Sequence, residues 1–237
     1  PPRNDHLPLV EAYEALKLGV RDYLHKNGFT QTAVGLSGGI DSALVFAIAV
    51  DALGKDNVKG VFMPSRYTSR LSLDCVRKLT ANLGVSFITL PIQPVYDIYH
   101  RILETHLTPV PVRGGSPLRG GSPRGRNAAV DLARQNLQAR IRGNILMALS
   151  NRYNWLVLTT GNKSELSTGY ATLYGDMAGG LAVLKDVPKT LVYQLAHYRN
   201  SLQVRPEGSL SEGSVKPAIP QETIKRVPTA ELKPNQK

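Results

Sequence analysis

The stretch Thr32-Ala-Val-Gly-Leu-Ser-Gly-Gly-Ile-Asp-Ser42, followed by Ala43-Leu-Val-Phe-Ala-Ile-Ala-Val-Asp-Ala-Leu53, decides how the rest of this chain is read. The apolar residues 32–36 predict a strand and the run from Ala43 predicts a helix, so a glycine turn joins a strand end to a helix start. The first four N–H groups of a helix have no partner inside it and carry the positive end of its dipole, so an anion binds there. Ser37 and Ser42 add hydroxyls, and Asp41 adds a carboxylate that can hold a cation beside the anion. Gly35, Leu36, Ser37, Gly38, Gly39, Ile40, Asp41 and Ser42 together suit a pyrophosphate departing from a nucleotide with Mg²⁺. The Gly-x-x-x-x-Gly-Lys-Ser/Thr pattern of the Walker A loop is absent. A plain βα turn without ligand is the simpler alternative, but such turns seldom combine two glycines, two serines and an aspartate.

Outward from this turn, helix and strand patterns alternate. Apolar residues from Leu9 to Leu24 recur at helical spacing, and Asn27-Gly28 ends that helix. Residues 58–63 predict a second strand cut off by Pro64, 70–83 a helix closed by Gly84, and 85–90 a third strand. A long helix is expected over 128–151, with Leu132, Leu137, Ile141, Ile145 and Leu149 on one side. A strand follows at 155–160, a short extended piece at 181–184 and a helix at 190–200; the tail from Gln203 reads as loop. The order predicts an α/β fold: a doubly wound, Rossmann-like parallel sheet with helices on both faces, in one domain spanning 1–237. The segment 105–127 interrupts it. Arg113-Gly-Gly-Ser-Pro recurs as Arg119-Gly-Gly-Ser-Pro, a composition that cannot bury apolar surface and is expected to be mobile. It reads either as a tolerated insertion or as a basic contact arm.

The 237 residues, 42% hydrophobic and 20% charged, suffice for a globular core. No apolar run reaches the ~18 residues of a membrane span, and no signal peptide is evident. The start at Pro1, without Met, suggests a piece of a longer polypeptide. A single cysteine, Cys75, excludes an intrachain disulfide and a cysteine-built metal cluster, and fits a reducing cytoplasm. Lys and Arg total 29 against 18 Asp and Glu, a formal charge of +11. Nucleic acid is one reading of that excess, but Arg113, Arg119, Arg124 and Arg126 fall in one short segment and the rest is diffuse. A protein that binds two phosphorylated substrates carries basic residues too.

In a doubly wound sheet, ligands lie outside the carboxyl ends of the strands. The glycine turn, Met63-Pro-Ser-Arg66 and Thr160-Gly-Asn-Lys-Ser-Glu165 all fall at such ends, so three separate polar motifs converge on one edge. Asp41 and Glu165 are then natural partners for a shared Mg²⁺, a hard cation that prefers oxygen ligands. Taken alone, Glu165 also reads as an acidic residue placed to favour a helix start. His100 and His197 read as helix-face residues, and Cys75 as core.

Ser-Gly-Gly-x-Asp-Ser resembles the pyrophosphate loop of ATP pyrophosphatases. The stretches Leu18–Leu24, Asn136-Leu-Gln-Ala-Arg-Ile-Arg142, Leu158–Leu166, Gly169-Tyr-Ala-Thr-Leu-Tyr-Gly-Asp176 and Lys185–Tyr193 narrow the likeness. With them the chain resembles the synthetase domain of glutamine-dependent NAD synthetases over roughly 9–102 and 127–237. The resemblance implies adenylation of the nicotinate carboxylate of deamido-NAD by ATP, then displacement of AMP by ammonia. It implies that Ser37 to Ser42 hold the ATP phosphates with Asp41 on Mg²⁺, and that Leu36 and Met63 lie near adenine or ribose. Thr160 would touch ATP, Lys189 the phosphates, and Thr229 would belong to a closing loop. Glu165 would serve Mg²⁺ or deamido-NAD. Asn136, Arg140 and Asp176 would touch deamido-NAD. Asp41, Glu165 and Lys189 are the expected catalytic set.

The resemblance further implies a homodimer with deamido-NAD bound between subunits, the long helix being the contact. No glutaminase domain is present in this chain, so ammonia would come free or from such a domain elsewhere. The chain stops at Asn235-Gln-Lys237, before an acidic segment the family carries, which predicts substrate capture with impaired closure. Two other readings stay open: a related adenylating enzyme acting on tRNA, and a nucleotide-binding remnant without turnover.

Overall fold

The computed structural model describes residues 7–107, 123–202 and 217–233. Five strands, β1 (Gln31–Leu36), β2 (Val58–Phe62), β3 (Phe87–Thr89), β4 (Trp155–Thr159) and β5 (Leu181–Ala182), form one sheet in the order β3-β2-β1-β4-β5. Every pairing is parallel. The predicted doubly wound α/β class therefore holds. From β1 the chain builds outward through β2 to β3, then returns to place β4 on the other side of β1. The reversal puts the topological switch point, where such sheets bind ligands, between β1 and β4.

Alternate strand residues feed two cores, as a period of two requires. Val34 and Leu36 of β1, with Leu156 and Leu158 of β4, face helices α1 (Leu7–Lys26), α2 (Ile40–Leu53), α3 (Arg70–Leu83) and α8 (Lys189–Ser201). Ala33 and Val157 face the opposite side, against α4 (Gln93–Ile102) and α6 (Pro123–Tyr153). α2 is buried from Ser42 to Ala49 without a break, which its Ala-Leu-Val-Phe-Ala-Ile-Ala composition permits. The remaining helices are short: α5 (Glu104–Leu107), α7 (Lys163–Ser167) and α9 (Gln221–Lys225).

Several expectations need correction. Helix α6 begins at Pro123, five residues before the predicted start, and α5 already occupies 104–107, so both ends of the presumed mobile segment are helical. The Arg113 and Arg119 repeats lie outside the described residues. Leu132 is 57% exposed and does not join Ile141 in the core. Nine residues separate the two, about 180° around a helix, so they lie on opposite faces. The tail is not wholly loop, since Pro220 opens α9. Strands β2, β3, β4 and β5 are shorter than predicted, ending at Phe62, Thr89, Thr159 and Ala182.

Candidate active site

α2 starts at the carboxyl end of β1, and its N-cap is Gly39, which has no side chain to cap the helix. α3 and α7, by contrast, are capped by the side chains of Ser69 and Asn162. An uncapped N-terminus at the switch point directs the dipole and the first-turn N–H groups toward whatever occupies the cleft. The loop before it is fixed from within. Ser37 Oγ accepts from Gly39 N at 3.2 Å, Ser42 Oγ accepts from Ser37 N at 3.3 Å, and Ser42 Oγ donates to Gly39 O at 3.1 Å. Gly38 takes φ +81°, the left-handed region open to glycine.

Above this turn the carboxyl end of β4 supplies α7. Asn162, fully buried, forms a capping box with Glu165: its Oδ1 accepts from Glu165 N at 3.0 Å and its own N–H donates to Glu165 Oε2 at 3.3 Å. The same asparagine donates Nδ2 to Asp41 Oδ1 at 2.9 Å, so one residue orients both carboxylates, Asp41 through its side chain and Glu165 through its backbone N–H. Lys189, the first residue of α8, contacts Asp41 Oδ2 and lies 3.7 Å from Glu165 Oε1. Its backbone N–H is held by Ser164 Oγ at 3.0 Å. Burial, reinforced by the Asp41 charge, raises the Glu165 carboxyl above its ordinary value, against the pull of Lys189.

A cleft of about 510 Å³ opens over this cluster. Gly35, Leu36, Ser37, Gly39, Ile40, Asp41, Ser42, Met63, Thr160, Glu165, Asp176, Lys189 and Thr229 all line it, which brings together most of the residues singled out from sequence. Gly38 lies against α3 rather than in the lining. Asn136 and Arg140 are not in it either; they hold the 172–176 turn, part of which lines it, Asn136 through a side chain and Arg140 through the backbone. Asn136 Oδ1 accepts from Thr172 Oγ1 at 2.9 Å, and Arg140 Nε donates to Leu173 O at 3.2 Å. Asp176 holds the same turn by accepting from Thr172 N at 2.7 Å. Burial raises the Asp176 carboxyl, opposed by that hydrogen bond.

Sequence reasoning passed over Asn162 and Arg142. For Asn162 the signal was available, since Asn followed three residues later by Glu is a capping-box pattern. Arg142 lines the cleft and donates Nε to Met63 O at 3.0 Å, fixing the end of β2. Burial pulls its guanidinium down to about 10, with Glu231 pushing the other way.

Among the described residues no group of three or more His, Cys, Asp and Glu could hold a metal. Asp41 and Glu165 nevertheless suit a hard cation, because one ammonium already meets both. Mg²⁺ commonly uses one or two carboxylates and takes its other ligands from phosphate and water.

The NAD synthase family model matches residues 12–237. This chain belongs to the NAD synthase family. It is 50% identical over 226 residues to a glutamine-dependent NAD(+) synthetase of Thermotoga maritima, covering 95% of this chain and 34% of that protein. The chain thus spans about a third of the length of the curated relatives it matches. It superimposes with a TM-score of 0.75, at 45% identity, on a glutamine-dependent NAD+ synthetase of Acinetobacter baumannii in complex with ADP, covering 92% of this chain and 36% of that one. An NH3-dependent NAD synthetase of Campylobacter jejuni matches at a TM-score of 0.66 and 28% identity, over 81% of this chain and 73% of that one. Solved structures named for either ammonia source are thus similar to this fold.

Proposed function

We propose that this chain carries the synthetase chemistry of an NAD synthetase: ATP-dependent amidation of deamido-NAD to NAD, with release of pyrophosphate and AMP. The observation that carries the reading is the cluster of Asp41, Glu165 and Lys189 above the uncapped start of α2, at the switch point of the sheet. A carboxylate resists ammonia because oxide is a poor leaving group. When the nicotinate oxygen bonds to the α-phosphorus of ATP, the bond to pyrophosphate breaks. Ammonia then attacks the activated carbonyl carbon and AMP departs.

Negative charge accumulates on the leaving pyrophosphate, so donors already fixed in place stabilise the transition state more than the ground state. The first-turn N–H groups of α2 and the Ser37 hydroxyl are such donors. Lys189 exchanges its carboxylate partners for phosphate oxygens. Asp41 and Glu165 would hold Mg²⁺, which when bound neutralises charge on the phosphates. Leu36, Met63, Thr160 and Thr229 line the same cleft, which supports assigning the first three to the nucleotide and Thr229 to a closing segment.

Deamido-NAD is assigned to the side of Asp176. Asn136 and Arg140 support that side by holding the 172–176 turn, and exposed Tyr170, Leu173 and Tyr174 beside it favour a homodimer that completes this half. Ammonia would arrive free or from a glutaminase domain. No described helix is long and apolar enough to cross a membrane, and we place the activity in the cytoplasm. The test is formation of NAD and AMP from deamido-NAD, ATP, Mg²⁺ and ammonium chloride, omitting each in turn. The two products appearing in equal amounts, with all four components required, is expected. NAD-independent AMP release would overturn the reading.

A further inference from the structure

We propose that Ser72 is a positioning residue that couples the phosphate loop to the 226–232 segment, which lines the same cleft. The inference rests on the reading of 35–42 as a nucleotide phosphate loop. Helix α3 has only half of a capping box of its own. Ser69, its N-cap, accepts from Ser72 N at 3.2 Å, but the third residue of the helix is Ser72, where a capping box would have Glu or Gln. The missing half arrives from far along the chain. Glu231 Oε2 accepts from Ser69 N at 3.2 Å, the contact a local glutamate would make, and from Ser72 Oγ at 2.8 Å. Arg226 donates Nη1 to the same hydroxyl at 2.7 Å and Nη2 to Glu231 Oε1 at 2.5 Å. Ser72 is fully buried, and its one donor and two acceptor sites serve Glu231, Arg226 and Ser69.

The backbone of Ser72 meets the phosphate loop on its other side. A Cβ on Gly38 would stand 2.7 Å from Ser72 O and 2.8 Å from Ser72 Cα, so the turn bears on the first turn of α3 with no side chain between them. The loop and the 226–232 segment therefore dock on the same residue, one through its main chain and the other through its hydroxyl. Glu231 sits at φ +48°, a conformation an L-residue holds only when its surroundings fix it. When 226–232 is seated, α3 is fully capped and the backstop of the phosphate loop is set. When the segment leaves, Ser69 N loses its partner and the loop loses part of its support. Burial alone would raise the Glu231 carboxyl, but the hydrogen bonds from Ser69 and Ser72 and the Arg226 charge hold it below the usual carboxylate range, so the latch stays ionised into acid.

The test is hydrogen exchange of the whole chain without nucleotide, comparing the parent with Glu231→Ala, Glu231→Gln and Ser72→Ala. We expect Glu231→Ala to speed exchange about tenfold both in 226–232 and in 37–42, the size of a modest coupling between sites. Glu231→Gln keeps an acceptor for Ser69 N and should recover most of the protection in both segments. Ser72→Ala removes the shared hydroxyl and should reproduce the Ala result should Glu231→Ala fold poorly. In steady state, Glu231→Ala should raise the KM for ATP about tenfold while kcat moves less. Faster exchange in 226–232 with 37–42 unchanged, in both alanine variants, would overturn the proposal. Because exchange is read without substrate, that result is distinct from a failure to make NAD.

Discussion

Helices α2 and α8 are joined by two ion pairs, Asp41 to Lys189 at the start of both helices and Asp51 to Arg199 about 15 Å further along each. The far pair is closed. Arg199 is buried, donates Nη2 to Asp51 Oδ1 at 2.9 Å and sets Nε against Oδ2, while Tyr13 donates its hydroxyl to Asp51 Oδ2 at 2.7 Å. Burial and the neighbouring Asp51 push the Tyr13 hydroxyl well above its ordinary value, so it remains a donor at every working pH. The near pair is open to the cleft, has a third member in Glu165, and uses lysine. A guanidinium fork is fixed by its geometry, whereas an ammonium on a four-carbon stem can turn from one oxygen to another. The same charges on the same two helices are thus set up for two tasks: one pair holds the helices in register, and the other keeps a cation that can turn beside two carboxylates in the cleft, where the proposed reaction would develop phosphate charge.

Substitutions at the two ends should separate these tasks. Arg199→Met leaves the half-buried Asp51 without its counter-charge and should cost about 3 kcal/mol of folding stability, the low end for a broken buried pair, read by chemical denaturation, while activity per folded molecule persists. Lys189→Met should do the reverse, lowering kcat about 10²–10³-fold as the loss of one transition-state donor does, with a much smaller change in the denaturation midpoint. A large stability loss in Lys189→Met would erase the distinction between the ends.

Glu165→Gln should lower kcat/KM about 100-fold at saturating ATP and weaken the response to added Mg²⁺, since outer partners and ligands of a metal are worth about 10–100-fold. Its pH profile carries a sign. The Glu165 pKa in the folded chain lies above its unfolded value, so as pH falls it protonates earlier than an ordinary carboxylate, and activity should begin to fall earlier too. For stability, the raised value means the ionised group opposes folding above its folded pKa, and that cost fades as pH falls through the unfolded one. Glu165→Gln should therefore keep or slightly raise the neutral-pH melting temperature, which thermal unfolding at pH 4 and pH 7.5 would show. The smallest effect is expected at Tyr13→Phe, about 1 kcal/mol for one hydrogen bond to a carboxylate that keeps its arginine.

The comparison also shows what the amino-acid order could and could not reveal. Asp41 and Glu165 of the near end were legible because they sit in short runs with local physics: a strand, a glycine turn, a helix start, and an acidic residue just beyond the next strand. Lys189 was expected only from the family resemblance. Placing Gly35–Ser42 and Thr160–Glu165 on one sheet edge needed only the alternation of strands and helices. The far end was not legible. Tyr13, Asp51 and Arg199 lie on three helices whose facing depends on packing, and no local pattern marks them as a set. Glu231 was hidden for the same reason, since it caps a helix 162 residues away in the chain. Asn136 and Arg140 share a helix face as their spacing required, yet that face grips a turn rather than lining the cleft, which spacing alone cannot decide. Leu132 was assigned to the wrong side because the nine-residue interval to Ile141 was read as periodic when it is half a turn out of phase.

The most direct measurement is exchange of labelled pyrophosphate into ATP, with deamido-NAD and Mg²⁺ present and ammonia absent, in the parent chain and in Asp41→Asn. Adenylation at the α2 start predicts exchange in the parent that depends on deamido-NAD and disappears in Asp41→Asn, with the folded signal of the variant unchanged. Exchange that survives in Asp41→Asn, or that proceeds without deamido-NAD, would contradict the assignment of this cleft as the site where the dinucleotide carboxylate is activated.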